Sequence, residues 1–219
     1  MTNFDYEFNE KIHAIIINPY LGWEEFNKNC ELIKKFNIRN ISTSLNFLIH
    51  LKNAMSNNKV KINALISYPF SDLPICFIDD FICYAKENGA NGIEYSPNFL
   101  NLSKNNLDVF ANEIESINNS ELPITLIINK TKLNKDLFQK AIEISIELGI
   151  KSFQFGDGFG TPMSPIDILD ISKLIKNKNF IKVVGGIKKL DQVIDLFNSG
   201  IDCVGTSNFY EIFNEIKVI

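Results

Sequence analysis

The chain has no cluster of lysine and arginine, no long apolar run and little histidine, and each lack removes a class of function. Its 22 Lys and Arg against 26 Asp and Glu leave a formal charge of -4, with the lysines scattered among Asn, Asp and Glu. A nucleic-acid binder usually shows a basic face, so no nucleic-acid partner is expected. No apolar run approaches the ~18 residues of a membrane span. The N-terminal MTNFDYEFNEK carries acidic residues and no apolar signal-peptide core, so a cytosolic (cytoplasmic) protein with no membrane partner is expected. With two histidines and no His/Asp/Glu cluster at ligand spacing, no metal site is expected. No G-x-G-x-x-G follows the first strand-like run, which removes support for a dinucleotide site; no cofactor is expected. The four cysteines, Cys30, Cys76, Cys83 and Cys203, form no C-x-x-C pair. Their neighbours read as amphipathic helix or strand core, so buried, reduced thiols are expected.

What is present is alternation. Short β-rich runs recur at residues 12–18, 38–43, 60–67, 92–95, 124–129, 152–155, 181–184 and 203–205. Each is followed by a stretch with helical spacing, beginning near Trp23, Leu45, Ile75, Ser103, Lys135, Pro165, Leu190 and Phe209. Gly89, Gly149 and Gly200 follow apolar-periodic segments, where a helix ends best on a left-handed residue. Ser164-Pro165 supplies an N-cap followed by Pro at the first helical position. The strands are nearly continuous apolar runs such as AIII and PITLII, which suit a parallel sheet covered by helices. Eight strand-helix units with no linker predict a (β/α)8 TIM barrel, class α/β, with residues 1–219 as one domain.

In such a barrel the active site lies at the C-terminal ends of the strands. The seventh strand exits into Gly185 and Gly186, and the eighth into Gly205, Thr206, Ser207 and Asn208. Paired glycines let backbone N–H groups approach an anion, and the helix that follows adds favourable partial charge. These loops predict a phosphate site, with Lys188 as a candidate source of charge. The sixth strand leads into a glycine-rich loop containing Asp157, Gly158 and Gly160, a mobile cover or a ligand wall, with Gly158 a further candidate for the phosphate site. Glu94 and Lys182 are charged residues embedded in strands. Charged groups are rarely buried unless paired, so both are expected to point into the barrel mouth for proton transfer, with an ion pair across the barrel as the alternative. His13, at the start of the first strand, reads as structural, His50 as surface or core edge, and Trp23 as packing on the barrel wall.

From about Ile12 to Ile212 the sequence resembles the deoxyribose-phosphate aldolase family. Lys182-Val183-Val184-Gly185-Gly186-Ile187-Lys188 is similar to the family's K-A-S-G-G-I-R, and Gly205-Thr206-Ser207-Asn208 to its G-T-S-S. Ser67-Tyr68-Pro69-Phe70-Ser71 stands where the family has G-F-P-L-G, and Gly89-Ala90-Asn91-Gly92-Ile93-Glu94 where it has G-A-D-E-I-D. The resemblance implies a class I aldolase, in which a sixth-strand lysine forms a Schiff base while an Asp and a second Lys relay protons. Glu94 takes the place of that Asp, and Lys182 is the second Lys. The Schiff-base position is occupied by Gln154, whose amide cannot condense with a carbonyl. A further family lysine falls on Thr125, and the family's K-P after the first strand is Asn18-Pro19.

Three readings are open. One is an aldolase-like lyase or related acid-base enzyme acting on a small phosphorylated aldehyde or sugar, with Glu94 and Lys182 as base and acid and Gln154 and Asp157 holding oxygens. Another is a catalytically silent barrel that binds a phosphorylated ligand or a protein partner. The third moves the imine to Lys182, which needs an uncharged amine where Glu94 favours the ammonium. Self-association into a homo-oligomer stays open.

Overall fold

Each β-rich run is a strand in the computed structural model of the protein, which describes residues 8–159, 162–175 and 179–216. The strands are β1 (Ile12–Ile16), β2 (Asn40–Ser44), β3 (Lys61–Ile66), β4 (Gly92–Tyr95), β5 (Ile124–Ile128), β6 (Ser152–Phe155), β7 (Phe180–Val184) and β8 (Cys203–Thr206). Neighbours in sequence pair in parallel, and β8 returns to β1 to close the barrel. The helices are α1 (Trp23–Lys35), α2 (Leu48–Ala54), α3 (Ile78–Glu87), α4 (Phe99–Ser103), α5 (Leu107–Asn118), α6 (Lys135–Glu147), α7 (Pro165–Leu174), α8 (Leu190–Asn198) and α9 (Phe209–Ile216). No helix among the described residues is long and apolar enough to cross a membrane.

Five helices begin where expected, at Trp23, Lys135, Pro165, Leu190 and Phe209, and the expected starts at Leu45 and Ile75 are short 3-10 turns, Leu45–Phe47 and Ile75–Phe77, that lead into α2 and α3. The expected helix start at Ser103 is wrong: Ser103 ends α4, and α5 begins at Leu107. The break is local chemistry. The Asn98 side chain caps α4 by accepting from the Leu100 amide, and Asn105 takes a left-handed φ of 57°, a conformation asparagine tolerates better than most residues. The expected left-handed glycines after α3, α6 and α8 are found.

Strand alternation sorts the barrel wall into two surfaces. Ala14, Ile41, Ala64, Ile93, Leu126, Phe153, Val183 and Val204 are partners or near neighbours in the ladder and all belong to the large apolar core. That core lies between wall and helices; each large side chain it buries contributes about 1.5–3 kcal/mol. The opposite surface, facing the barrel axis, is much more polar: Ser42, Glu94, Gln154 and Lys182 are all buried there. Two cysteines depart from expectation. Cys30 and Cys203 are buried, but Cys76 and Cys83 are exposed, because the turn before α3 and the outer face of α3 are uncovered. Trp23 is also exposed, at 59%, its ring edge-on to His50 with centroids 4.5 Å apart. It does not pack on the wall.

The Ser164 cap is realised as a reciprocal box. Ser164 Oγ accepts from the Asp167 amide at 3.3 Å, and Asp167 Oδ2 accepts from the Ser164 amide at 3.0 Å. Burial pushes the Asp167 carboxyl up, but hydrogen bonds from Lys130 and Ser164 outweigh it and bring the carboxyl down to about 2. A depressed carboxyl stabilises the fold above its ordinary range and loses that contribution as pH falls through the folded value. Ser164→Ala is expected to cost about 1 kcal/mol in urea denaturation at neutral pH, with the difference from the parent shrinking as pH falls toward 2.

Candidate active site

Three side chains from three strands meet inside the barrel. Lys182 Nζ on β7 donates to Glu94 Oε1 on β4 at 2.5 Å and to Ser42 Oγ on β2 at 2.8 Å. Ser42 Oγ donates to the same Glu94 oxygen at 2.8 Å. The pair is sealed, with Lys182 1% and Glu94 2% exposed. The expectation that both reach the mouth is therefore corrected. Lys182 sits mid-strand, one inward position below Val184, and it is Val184 that lines the mouth. Glu94 likewise lies one inward position below the mouth residue Ser96. Ser42 was not singled out from sequence, although the alternation in NISTS, polar at every second residue of a buried strand, carries the signal.

Gln154 is the register partner of Lys182, and its Nε2 donates to the Gly156 carbonyl at 3.2 Å. Two buried oxygens in this layer, Gln154 Oε1 and Glu94 Oε2, have no hydrogen-bond partner among the described residues. Native structures leave few such atoms unpaired; here both belong to expected site residues. Thr125, on the same side of the wall as Glu94, is 2.9 Å from Ser152 Oγ. His13 is buried at the lower end, its imidazole held well below the usual range by burial and then by the Lys182 and Lys61 charges.

Above this layer lies a cavity of about 600 Å³ lined by the loops after β7, β8 and β1. Gly158, Gly185, Gly186, Gly205, Thr206, Ser207 and Asn208, all expected at a phosphate site, line it together. They do so in different ways. The amides of Gly186 and Ser207 donate to no described residue, and the first-turn amides of α9 have no partner within the helix. Thr206 Oγ1 instead donates to the Ile187 carbonyl at 2.7 Å and accepts from the Asn208 amide at 2.9 Å, tying the eighth loop to the seventh. Gly205 makes room for a side chain: a Cβ there would sit 2.9 Å from Lys182 Cε. Lys188 does not line the cavity. Its amide is drawn toward α8, donating to Gln192 Oε1 at 2.8 Å.

Asp157 is not brought to the Lys182 group. Its carboxylate accepts from Lys132 Nζ at 2.5 Å and from the Phe159 amide at 2.9 Å, and it lines a second cavity of about 440 Å³. Between the cavities runs a strap. The Tyr68 hydroxyl, from the loop after β3, donates to the Asp157 carbonyl after β6. Burial, then the Asp157 and Glu94 charges, push the Tyr68 phenol up, so it stays a donor. Tyr68 and Lys132 carry no local sequence signal for these contacts, because their partner Asp157 belongs to a loop distant in sequence. Gly160 lies outside the described residues.

No family model matches the chain. It is 23% identical over 212 residues to a deoxyribose-phosphate aldolase of Mycoplasma capricolum subsp. capricolum, covering 94% of each chain. It is 26% identical over 216 residues to a deoxyribose-phosphate aldolase of Mycoplasmoides pirum, covering 95% of this chain and 97% of that one. Among solved structures it is similar to one described as "QR15, an Aldolase", with a TM-score of 0.89, 20% identity and coverage of 100% and 97%. A deoxyribose phosphate aldolase from Aeropyrum pernix, described as having a unique tetrameric structure, gives a TM-score of 0.86 at 15% identity, covering 97% and 92%. These structures share the closed parallel barrel.

Two outcomes test the geometry. Lys182→Met is expected to cost about 3–5 kcal/mol because it strands a buried carboxylate, whereas Lys182→Met/Glu94→Gln loses clearly less than the sum of the single changes. Gly186→Ala places a Cβ on a left-handed backbone, φ 68°, and 2.2 Å from Pro162 Cγ. It is expected to destabilise by more than about 1 kcal/mol; urea denaturation reads both.

Proposed function

Because the chain is a relative of the deoxyribose-phosphate aldolase family, we propose that it is an aldolase-like enzyme acting on a small phosphorylated aldehyde or sugar by proton transfer, without a Schiff base at position 154. The observation that carries this reading is the sealed Lys182–Glu94 pair with a free carboxylate oxygen, Glu94 Oε2, while Gln154 is the register partner of Lys182. In retro-aldol cleavage the carboxylate takes the hydroxyl proton, and the carbon-carbon electrons pass into an enolate. The Lys182 ammonium stabilises the enolate oxygen, and the carboxylic acid just formed returns the proton to carbon. Isomerisation and dehydration need the same enolate-like species. Gln154 offers an amide to the carbonyl end of the ligand, and the Gly186 and Ser207 amides with the start of α9 hold its phosphate. Asp157 and Lys132 hold the sixth loop in this reading.

An imine on Lys182 is disfavoured because its ammonium already donates to Glu94 and Ser42. Self-association belongs to the same proposal, since the Aeropyrum pernix relative is described as tetrameric. Residues 1–219 are taken as one barrel domain.

The burial of the pair, together with Gln154, favours a second reading, a barrel that binds a phosphorylated ligand without turning it over. Acetaldehyde release from 2-deoxyribose 5-phosphate separates the two. The enzyme reading expects turnover that falls about 10²–10⁴-fold in Glu94→Gln and Lys182→Met, compared at equal folded fraction. Full activity in both variants would overturn it. Thermal stabilisation by the sugar phosphate with no acetaldehyde supports the binding reading.

A further inference from the structure

The second cavity lies across the Tyr68 strap from the glycine loops, between the ends of β3, β4, β5 and β6. Its polar lining is unusually well placed for a ligand. Ser96, Asn129 and Asp157 are each more than nine-tenths buried and all line it. Asn129 uses its Oδ1 to accept from the Thr131 amide and hydroxyl, while its Nδ2 donates to no described residue. Ser71 and Ser96 hydroxyls lie 2.6 Å apart, either able to donate. Lys132 and Asp157 add an ammonium and a carboxylate already paired at 2.5 Å. Phe70, 80% exposed, and Phe99 complete the wall.

These groups narrow the chemistry. A phosphate or other anion would meet the Asp157 carboxylate, and a cation would meet Lys132. A neutral ligand avoids both penalties. Adjacent hydroxyls can each donate to Asp157 or a serine while accepting from Lys132 or Asn129, and the C–H face of a sugar suits the exposed Phe70 ring. We infer that this cavity is a second binding site, separate from the glycine loops, for a neutral polyhydroxylated ligand such as a free sugar or small polyol. The inference goes beyond the proposed reaction and does not rest on Glu94 and Lys182 performing chemistry.

D-ribose and glycerol serve as probes, followed by saturation-transfer NMR on the full chain, with inorganic phosphate as competitor. Ribose, glycerol or both are expected to bind in the millimolar range (~1–10 mM), weakening about tenfold in Ser71→Ala/Ser96→Ala. Phe70→Ala, at an exposed position that leaves the fold alone, is expected to weaken binding about three- to tenfold. Saturating inorganic phosphate should leave the affinity unchanged. Absence of binding by both probes overturns the inference. So does displacement by phosphate, or an affinity that Phe70→Ala leaves untouched. Loss of acetaldehyde release with sugar binding intact would count against the proposed reaction alone.

Discussion

The arrangement inside the barrel depends on one interaction, the ion pair between Lys182 and Glu94. Taking two charges out of water costs several kcal/mol per ion unless each is closely matched. The surrounding residues supply that match. Ser42 donates to the carboxylate while accepting from the ammonium, and Gly205 leaves the space through which the lysine chain passes. Around this group the inward faces of the strands are polar, while their outward faces build the apolar core against the helices. An apolar pair of the same volume would serve stability at least as well. Retention of charge at the barrel's centre, with one carboxylate oxygen unpaired, is what gives the pair chemical meaning.

Much of this was legible in the sequence because the signals were local. Strands read as apolar runs bounded by turn residues, and β4 and β6 were placed to the residue. Gly185 and Gly186 were recognisable because a left-handed backbone and a close approach demand glycine. What escaped was set by contacts across the barrel. Ser42 gains its role only when β2, β4 and β7 face one axis. Tyr68 and Asp157 meet across loops separated by most of three strand-helix units. Lys188 looked like a phosphate ligand because it follows the glycines, yet the start of α8 turns its amide outward. Cys76 and Cys83 follow apolar spacing, but α3 carries more apolar surface than the barrel covers.

The similarity to deoxyribose-phosphate aldolases spans nearly the whole chain, and among the departures from the family pattern the one at position 154 bears most directly on the chemistry. Gln154 presents an amide where the resemblance implies the covalent lysine. The amide can orient a carbonyl but cannot attack it. In the proposed reaction the burden therefore falls on Glu94 and Lys182, with the glycine loops providing position. The Tyr68 strap divides the mouth above them into two cavities. The separation of the two polar environments thus rests on one hydrogen bond.

The most direct test is borohydride reduction of the protein during incubation with 2-deoxyribose 5-phosphate, followed by peptide mass mapping. Non-covalent acid-base chemistry predicts acetaldehyde release with no adduct on the peptide containing Lys182. A reduced two-carbon or sugar-phosphate adduct on Lys182, formed in proportion to turnover, would contradict it.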